Sequence, residues 1–315
     1  MTIFFRTFVL SAPLFGTVAL GYLIARLPFW RLSWTRFGNK FVFAVAIPAM
    51  LFRMMSDLSA LPPVDTRLLL AFFGGCFAVY VLGRLVGTFV FHLDGVSQSV
   101  FAMGGVFSNN VMLGLPLAKL VLGDTALPSV ALVLVFNALT LWTLVSVSVE
   151  WARHGSFTTA GLGKTALAVI TNPIVASIVS GTLFGHTGWH APRPLWVALG
   201  AIGTVAAPAA LLVLGMGLVE YGVRKDWQQS LTICLLKLVV HPLAVWTLAR
   251  ALHLPALETT VAVMLASMSV GANVYLMAVQ YQARQAAVAS SLVLSTVLAA
   301  ITTPILLALL GSLGN

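Results

Sequence analysis

The chain has 315 residues, of which 60% are hydrophobic and 8% charged, and its mean hydropathy is +1.02. A water-soluble globule of this size would need far more surface charge, so that class is excluded; apolar runs of about 20 residues recur from end to end, each long enough to cross roughly 30 Å of hydrocarbon. The net charge of +9 does not indicate nucleic acid, because the Lys and Arg residues are scattered over short loops, where they serve membrane topology.

Ten apolar segments are expected, at roughly 5–26, 38–55, 67–91, 97–119, 127–151, 165–186, 195–219, 229–252, 258–280 and 285–311. Arg6 before the first run resembles a signal peptide, but nine further spans follow, so the run reads as a retained membrane helix. The first segment carries Pro13 and Gly21, the second Pro48, the third closes on Arg84, and Asn109 and Asn110 interrupt the fourth. The sixth carries Pro173 and Gly181, the seventh Pro208, the eighth closes on Arg250, and Asn273 interrupts the ninth. These marks recur in the same order in both halves. The chain therefore divides into a first five-helix repeat over 1–151, a connecting loop over 152–164 and a second five-helix repeat over 165–315. Five spans is an odd number, so equivalent halves must be inverted in the membrane. That is the plan of secondary transporters whose site lies where paired broken helices meet.

Loop cations set the orientation. Arg26, Arg31, Arg36 and Lys40 cluster after the first segment, and Arg153 and Lys164 lie in the middle loop. The positive-inside rule then places both termini outside, in the periplasm for a bacterial inner membrane. The two cysteines fall inside spans and read as small packing residues rather than a disulfide or metal pair.

The fourth segment contains GGVFSNNVMLGLPLAKL over Gly104–Leu120. Ser108, Asn109 and Asn110 put polarity mid-span, and Gly114 with Pro116 predicts an unwound stretch. Unwound backbone at that depth is tolerated only inside protein or against water, where its amides become ligand groups. The ninth segment, MLASMSVGANVYLMAVQYQ over Met264–Gln282, repeats the pattern with Ser267, Ser269, Gly271, Asn273 and Tyr275. Two broken helices crossing near the midplane would present half-helix N-termini to an anion. Asn side chains can also serve merely as interhelical glue. The paired Asn residues, the Gly-x-Pro and the echo in the other half favour a substrate site.

Lys237 and His241 lie one helical turn apart in the eighth segment. Intramembrane ionisable residues suggest coupling or lining, although Lys237 could instead snorkel to the interface. Asn137 is a further lining candidate, with Asn172 and Thr302–Thr303 behind it. No His/Cys/carboxylate cluster has metal-ligand spacing and no phosphate loop occurs, so no cofactor or ATP coupling is expected. The absence of a mid-span Asp or Glu weakens carboxylate-based proton or sodium coupling.

The run Ser108-Asn109-Asn110-Val111-Met112-Leu113-Gly114-Leu115-Pro116-Leu117 resembles the signature of the auxin efflux carrier family, which includes plant PIN carriers and bacterial malonate-type transporters. Asn172-Pro173-Ile174, Ala207-Pro208-Ala209, Gly215-Met216-Gly217-Leu218 and Ala272-Asn273-Val274-Tyr275 with Ala278 and Tyr281 extend the resemblance over nearly the whole chain. The resemblance implies an all-α polytopic membrane protein of ten helices in two inverted repeats, with crossing broken helices four and nine. It implies elevator-like transport of a small organic anion such as malonate, with helices 1, 2, 6 and 7 as scaffold and 3–5 with 8–10 moving. Ser269 stands where many members carry proline, and the loop between the halves is short, as in the bacterial type. A scaffold anchored against a moving unit suggests a homodimer. The rivals are a channel, which needs a continuous polar lining, and a membrane-embedded transferase, which needs an acid/base cluster.

Overall fold

The computed structural model describes residues 2–56, 65–154, 173–189, 192–221 and 226–313. The connecting segment beyond His154 with Lys164, the expected start of the sixth helix with Asn172, and the cations Arg224 and Lys225 lie outside the described residues.

The described residues are almost entirely helical. Helix α1 is Thr2–Ala25, α2 covers 32–55, α3 is Arg67–Phe89, α4 is Gly95–Gly104 and α5 covers 110–122. Helix α6 is Leu127–His154, α7 is Pro173–His186, α8 is Arg193–Tyr221 and α9 covers 227–251. The chain continues through α10 (Ala256–Ala266), α11 (Ala272–Gln280) and α12 (Gln285–Leu313). Four of these stretches are apolar and 23 to 30 residues long, with mean hydropathy from 1.8 to 2.3, enough for each to span a bilayer alone.

Two boundaries differ from the sequence reading. Helix α2 begins at Leu32, not near 38, because an amphipathic turn precedes its apolar run. Thr35 is buried there, Trp34 and Phe37 are exposed, and the Trp30 Nε1–H donates to the Thr35 hydroxyl at 3.0 Å. Helix α6 continues through 152–154, which the sequence assigned to the loop. At Pro208, α8 bends by 40° between its parts Arg193–Ala206 and Pro208–Val219, since proline lacks the N–H and obstructs the preceding turn.

Helices meet through small residues, as membrane interiors favour. Helix α1 lies along α8, where a Cβ on Gly21 would collide with the Leu212 carbonyl and one on Gly215 with the Val18 carbonyl. Helix α7 lies along α2, where a Cβ on Gly181 would stand 2.6 Å from the Phe52 carbonyl oxygen. Helices α1, α2, α7 and α8 thus contact one another in one group. Helix α3 packs on α4 and α9, and α9 on α10 and α12, in a second group that α12 also links to α1.

The two interruptions position the site. Helix α4 stops at Gly104 and helical structure resumes at Asn110 with a wide π turn over Asn110–Gly114. Helix α10 stops at Ala266 and α11 starts at Ala272. The two non-helical stretches, both buried, meet in an isolated antiparallel bridge between Ser108 and Val270. The Asn109 N–H donates to the Ser269 carbonyl at 2.9 Å, and the Gly271 N–H to the Phe107 carbonyl at 2.8 Å. Each break satisfies the backbone groups that the other exposes, which lets irregular backbone persist deep in an apolar protein.

Candidate functional site

Helix α5 explains the local form of the first break. Pro116 comes just after the π turn, and that wider turn makes room for its ring, so the helix continues through it. The non-helical stretch lies at 105–109, upstream of the Gly114–Pro116 pair to which the sequence reading assigned it. The Gly114 N–H donates to the Asn109 carbonyl at 3.1 Å, and the Gly271 N–H is committed to Phe107. Neither amide is therefore available to a guest, contrary to the expectation for both. These glycines are required for space, not for unusual angles. A Cβ on Gly114 would stand 2.9 Å from Leu265 Cδ2, and one on Gly271 3.0 Å from Phe107 Cδ1 and 3.1 Å from the Ser108 carbonyl oxygen.

Beside the bridge lies a cavity of about 180 Å³. Ser108, Asn109, Asn110, Val111 and Met112 from the first break line it, as do Gly271, Ala272 and Asn273 from the second. Phe43 of α2, Leu134 and Asn137 of α6, and Ile174 and Val175 of α7 close the remaining sides. The volume lies below the 300–1,000 Å³ usual for drug-sized ligands, so the space suits a smaller molecule.

The polar groups of this lining are buried and idle. Ser108, Asn109, Asn110 and Asn137 are each at most 6% exposed. Ser108 Oγ, Asn109 Nδ2, both amide atoms of Asn110 and Asn137 Oδ1 have no hydrogen-bond partner. Buried polar atoms are almost always paired, and each unpaired one costs about 1–3 kcal/mol. Asn273, in the first turn of α11, also lines the cavity but is exposed. Asn110, Val111 and Met112 at the start of α5, with Ala272 and Asn273 at the start of α11, border the same space, and amides at the very start of a helix lack intrahelical acceptors.

The other expected site residues lie elsewhere. Gly114, Pro116, Ser269 and Tyr275 do not line the cavity. The Ser269 carbonyl holds the bridge, while its hydroxyl is buried without a partner. Lys237 and His241 share one face, as their spacing predicted, but Lys237 is fully buried and does not snorkel. Its ammonium donates to the Ala266 carbonyl, the last residue of α10, and lies 3.2 Å from His241 Nδ1. His241 Nε2 in turn lies 3.3 Å from Cys76 Sγ. This chain of groups stands behind the second break and outside the cavity lining. A cation at a helix C-terminus is favourably placed against the carbonyl end of the dipole.

Sequence reasoning overlooked Ser295 of α12, whose hydroxyl accepts from the Val270 N–H at 3.0 Å. The run of small polar residues Ser290, Ser291, Ser295 and Thr296 in an otherwise apolar helix was the available signal. Phe43, Leu134, Ile174 and Val175 gave no signal, since an apolar wall in an apolar segment looks like any lipid-facing residue.

A family model described as "Membrane transport protein" matches residues 7–307. A protein of Rhizobium meliloti (strain 1021) named "Putative malonate transporter" is 27% identical over 309 residues, covering 96% of this chain and 95% of that protein.

Proposed function

Because the chain belongs to the membrane transport protein family, that of the auxin efflux carriers, and is thus a multi-pass transporter and not an enzyme, we propose that it is a secondary carrier of small organic anions, with a carboxylate such as malonate as substrate. One observation carries this reading: the cavity between the two breaks is lined by buried side-chain amides that have no partner in the protein. Asn109, Asn110 and Asn273 would donate to the carboxylate, and Asn137 would complete the opposite wall. The name of the Rhizobium meliloti relative points in the same direction.

The packing supports an inverted repeat of ten spans with crossing breaks. Helix α1 contacts α8 and helix α7 contacts α2, each through a glycine, as a two-fold exchange of the halves requires. The cavity lies between α2 and α7 on one side and the two breaks on the other. An elevator-like displacement of the group holding the breaks past α1, α2, α7 and α8 would carry the guest across. The loop cations support a bacterial inner-membrane protein with both termini in the periplasm, and anchoring of the static group supports a homodimer. Coupling to protons would use Lys237 and His241, which stand behind the second break; coupling to sodium would need the oxygen ligands of the two breaks instead.

Uptake of radiolabelled malonate into proteoliposomes tests the reading. Asn109→Ala and Asn273→Ala are expected to abolish uptake while the protein still purifies as a monodisperse species. Wild-type rates in both variants would overturn the site.

A further inference from the structure

Resting on the carboxylate reading above, we propose that the cavity takes its guest as a singly charged acid that still carries a hydrogen-bond donor, not as a dianion. Among the described residues, the lining contains no charged or titratable side chain. Its idle groups are of both kinds. Asn110 offers an N–H donor and a carbonyl acceptor, both buried and unpaired, and rotating the amide merely exchanges them. Asn137 Oδ1 adds a second acceptor, while the Ser108 hydroxyl can serve either way.

A carboxylate can only accept. A dianion would use the donors, leave the Asn110 and Asn137 carbonyls unpaired, and press them against its own oxygens. It would also bury two charges where the described lining offers no cation, which is costly unless each is paired. A guest with one carboxylate and one O–H or N–H group satisfies both kinds of partner. Half-protonated malonate has this form. So do short hydroxy acids and acid amides.

Charges on the surrounding elements do not alter the argument. Helix α2 carries Arg36, Lys40 and Arg53, α5 carries Lys119, α6 carries Glu150 and Arg153, α7 ends at His186, and α11 carries Tyr275; none lines the cavity. Behind the second break, Lys237 donates to the Ala266 carbonyl and touches His241, which touches Cys76.

The test is calorimetric binding to the purified full-length protein with three probes: malonate, malonamate and monomethyl malonate. Malonamate is a single carboxylate with N–H donors. Monomethyl malonate is a single carboxylate with none. Above its second ionisation, malonate should lose affinity about tenfold per pH unit, because the competent monoanion becomes scarce. Malonamate should bind equally well across the same range, and this also controls for titration of Lys237 and His241. Monomethyl malonate should bind at least tenfold more weakly than malonamate, and Asn110→Leu should erase that difference. The proposal is overturned if malonate binding is flat across its second ionisation, if monomethyl malonate equals malonamate, or if sodium rather than protons restores malonate binding at high pH. Failure of all three probes to bind would overturn the carboxylate reading itself, whereas binding with a flat pH profile would overturn only this inference.

Discussion

The Gly271 N–H donates to the Phe107 carbonyl at 2.8 Å, tying together two helix interruptions that belong to opposite halves of the chain. The bond needs the strands in close contact, and a Cβ on Gly271 would stand 3.1 Å from the Ser108 carbonyl oxygen. Gly271→Ala is therefore expected to push the breaks apart, at a cost of about 1–3 kcal/mol, the range for overpacked interiors. Melting followed by size-exclusion chromatography should show a lower Tm, with transport reduced more than the residual folded fraction explains. An unchanged Tm would mean that the bridge yields without strain.

Ser295 should matter for the same reason, from the other side of the break. Its hydroxyl is the partner of the buried Val270 N–H, so Ser295→Ala leaves a buried donor unsatisfied. The expected loss is about 1–3 kcal/mol. Ser295→Thr keeps the hydroxyl and should retain most of the stability. Hydrogen exchange of the Val270 amide is the direct readout: faster in the Ala variant, protected in the Thr variant.

Asn110 makes the opposite prediction for stability. Both atoms of its side-chain amide are buried and unpaired, so the folded protein carries their desolvation cost without return. Replacement by Leu, a similar volume without polar atoms, should raise stability by about 1–3 kcal/mol while weakening malonamate binding to the level of monomethyl malonate. Thermal-shift and binding measurements on the same sample check the pair of effects. A variant that loses both would show that Asn110 holds the fold and not the guest.

The sequence made the breaks legible because polarity in a long apolar run has few explanations. Ser108 to Asn110 and Ser267 to Asn273 stand out against their surroundings, and both stretches prove to be non-helical or to open a new helix. The sequence could not show which residues unwind. Pro116 and Gly114 looked like the breakers, yet the chain stays helical through them, because the turn ahead of Pro116 widens to a π turn that makes room for its ring. The apolar wall of the cavity was equally hidden. Phe43 and Ile174 differ from lipid-facing neighbours only through tertiary contacts. Nor could spacing alone tell whether Lys237 reached the interface or turned inward. Its inward turn depends on a helix C-terminus at Ala266 that exists only because the ninth segment is broken.

Asp94 caps α4, accepting from the Val96 N–H at 3.1 Å and the Ser97 N–H at 3.0 Å. The Ser97 hydroxyl, and then these amides, hold its carboxyl below the ordinary value of 3.8. A lowered folded value means that the cap stabilises the protein above pH 3.8 and that this contribution fades as pH falls through the folded value. Asp94→Ala should cost about 0.5–1 kcal/mol at neutral pH, the lower part of the capping range, because the site is exposed and screened. The Tm gap between variant and wild type should close on acidification. A gap that persists at low pH would assign the effect to packing instead of charge.

Lys237 provides the sharpest test of how the second break is held. Its ammonium satisfies the terminal carbonyl of α10 at Ala266 and meets His241, in a position with no exposure to water. Lys237→Met removes the ammonium donor but keeps most of the volume, and the weakened capping of the Ala266 carbonyl should cost about 1–3 kcal/mol. Because that carbonyl directly precedes residues 267–271, the damage should be local. Hydrogen exchange should rise in the second break and in the first turn of α11, while the first turn of α4 stays protected. Lys237→Arg retains a cation but needs more room in a fully buried site, so it should restore the capping bond only partly. Uniform acceleration of exchange across all helices in Lys237→Met would show that the residue supports the whole fold. Unchanged exchange at 267–271 would show that the break is held by its bridge to Ser108 and Asn109 alone.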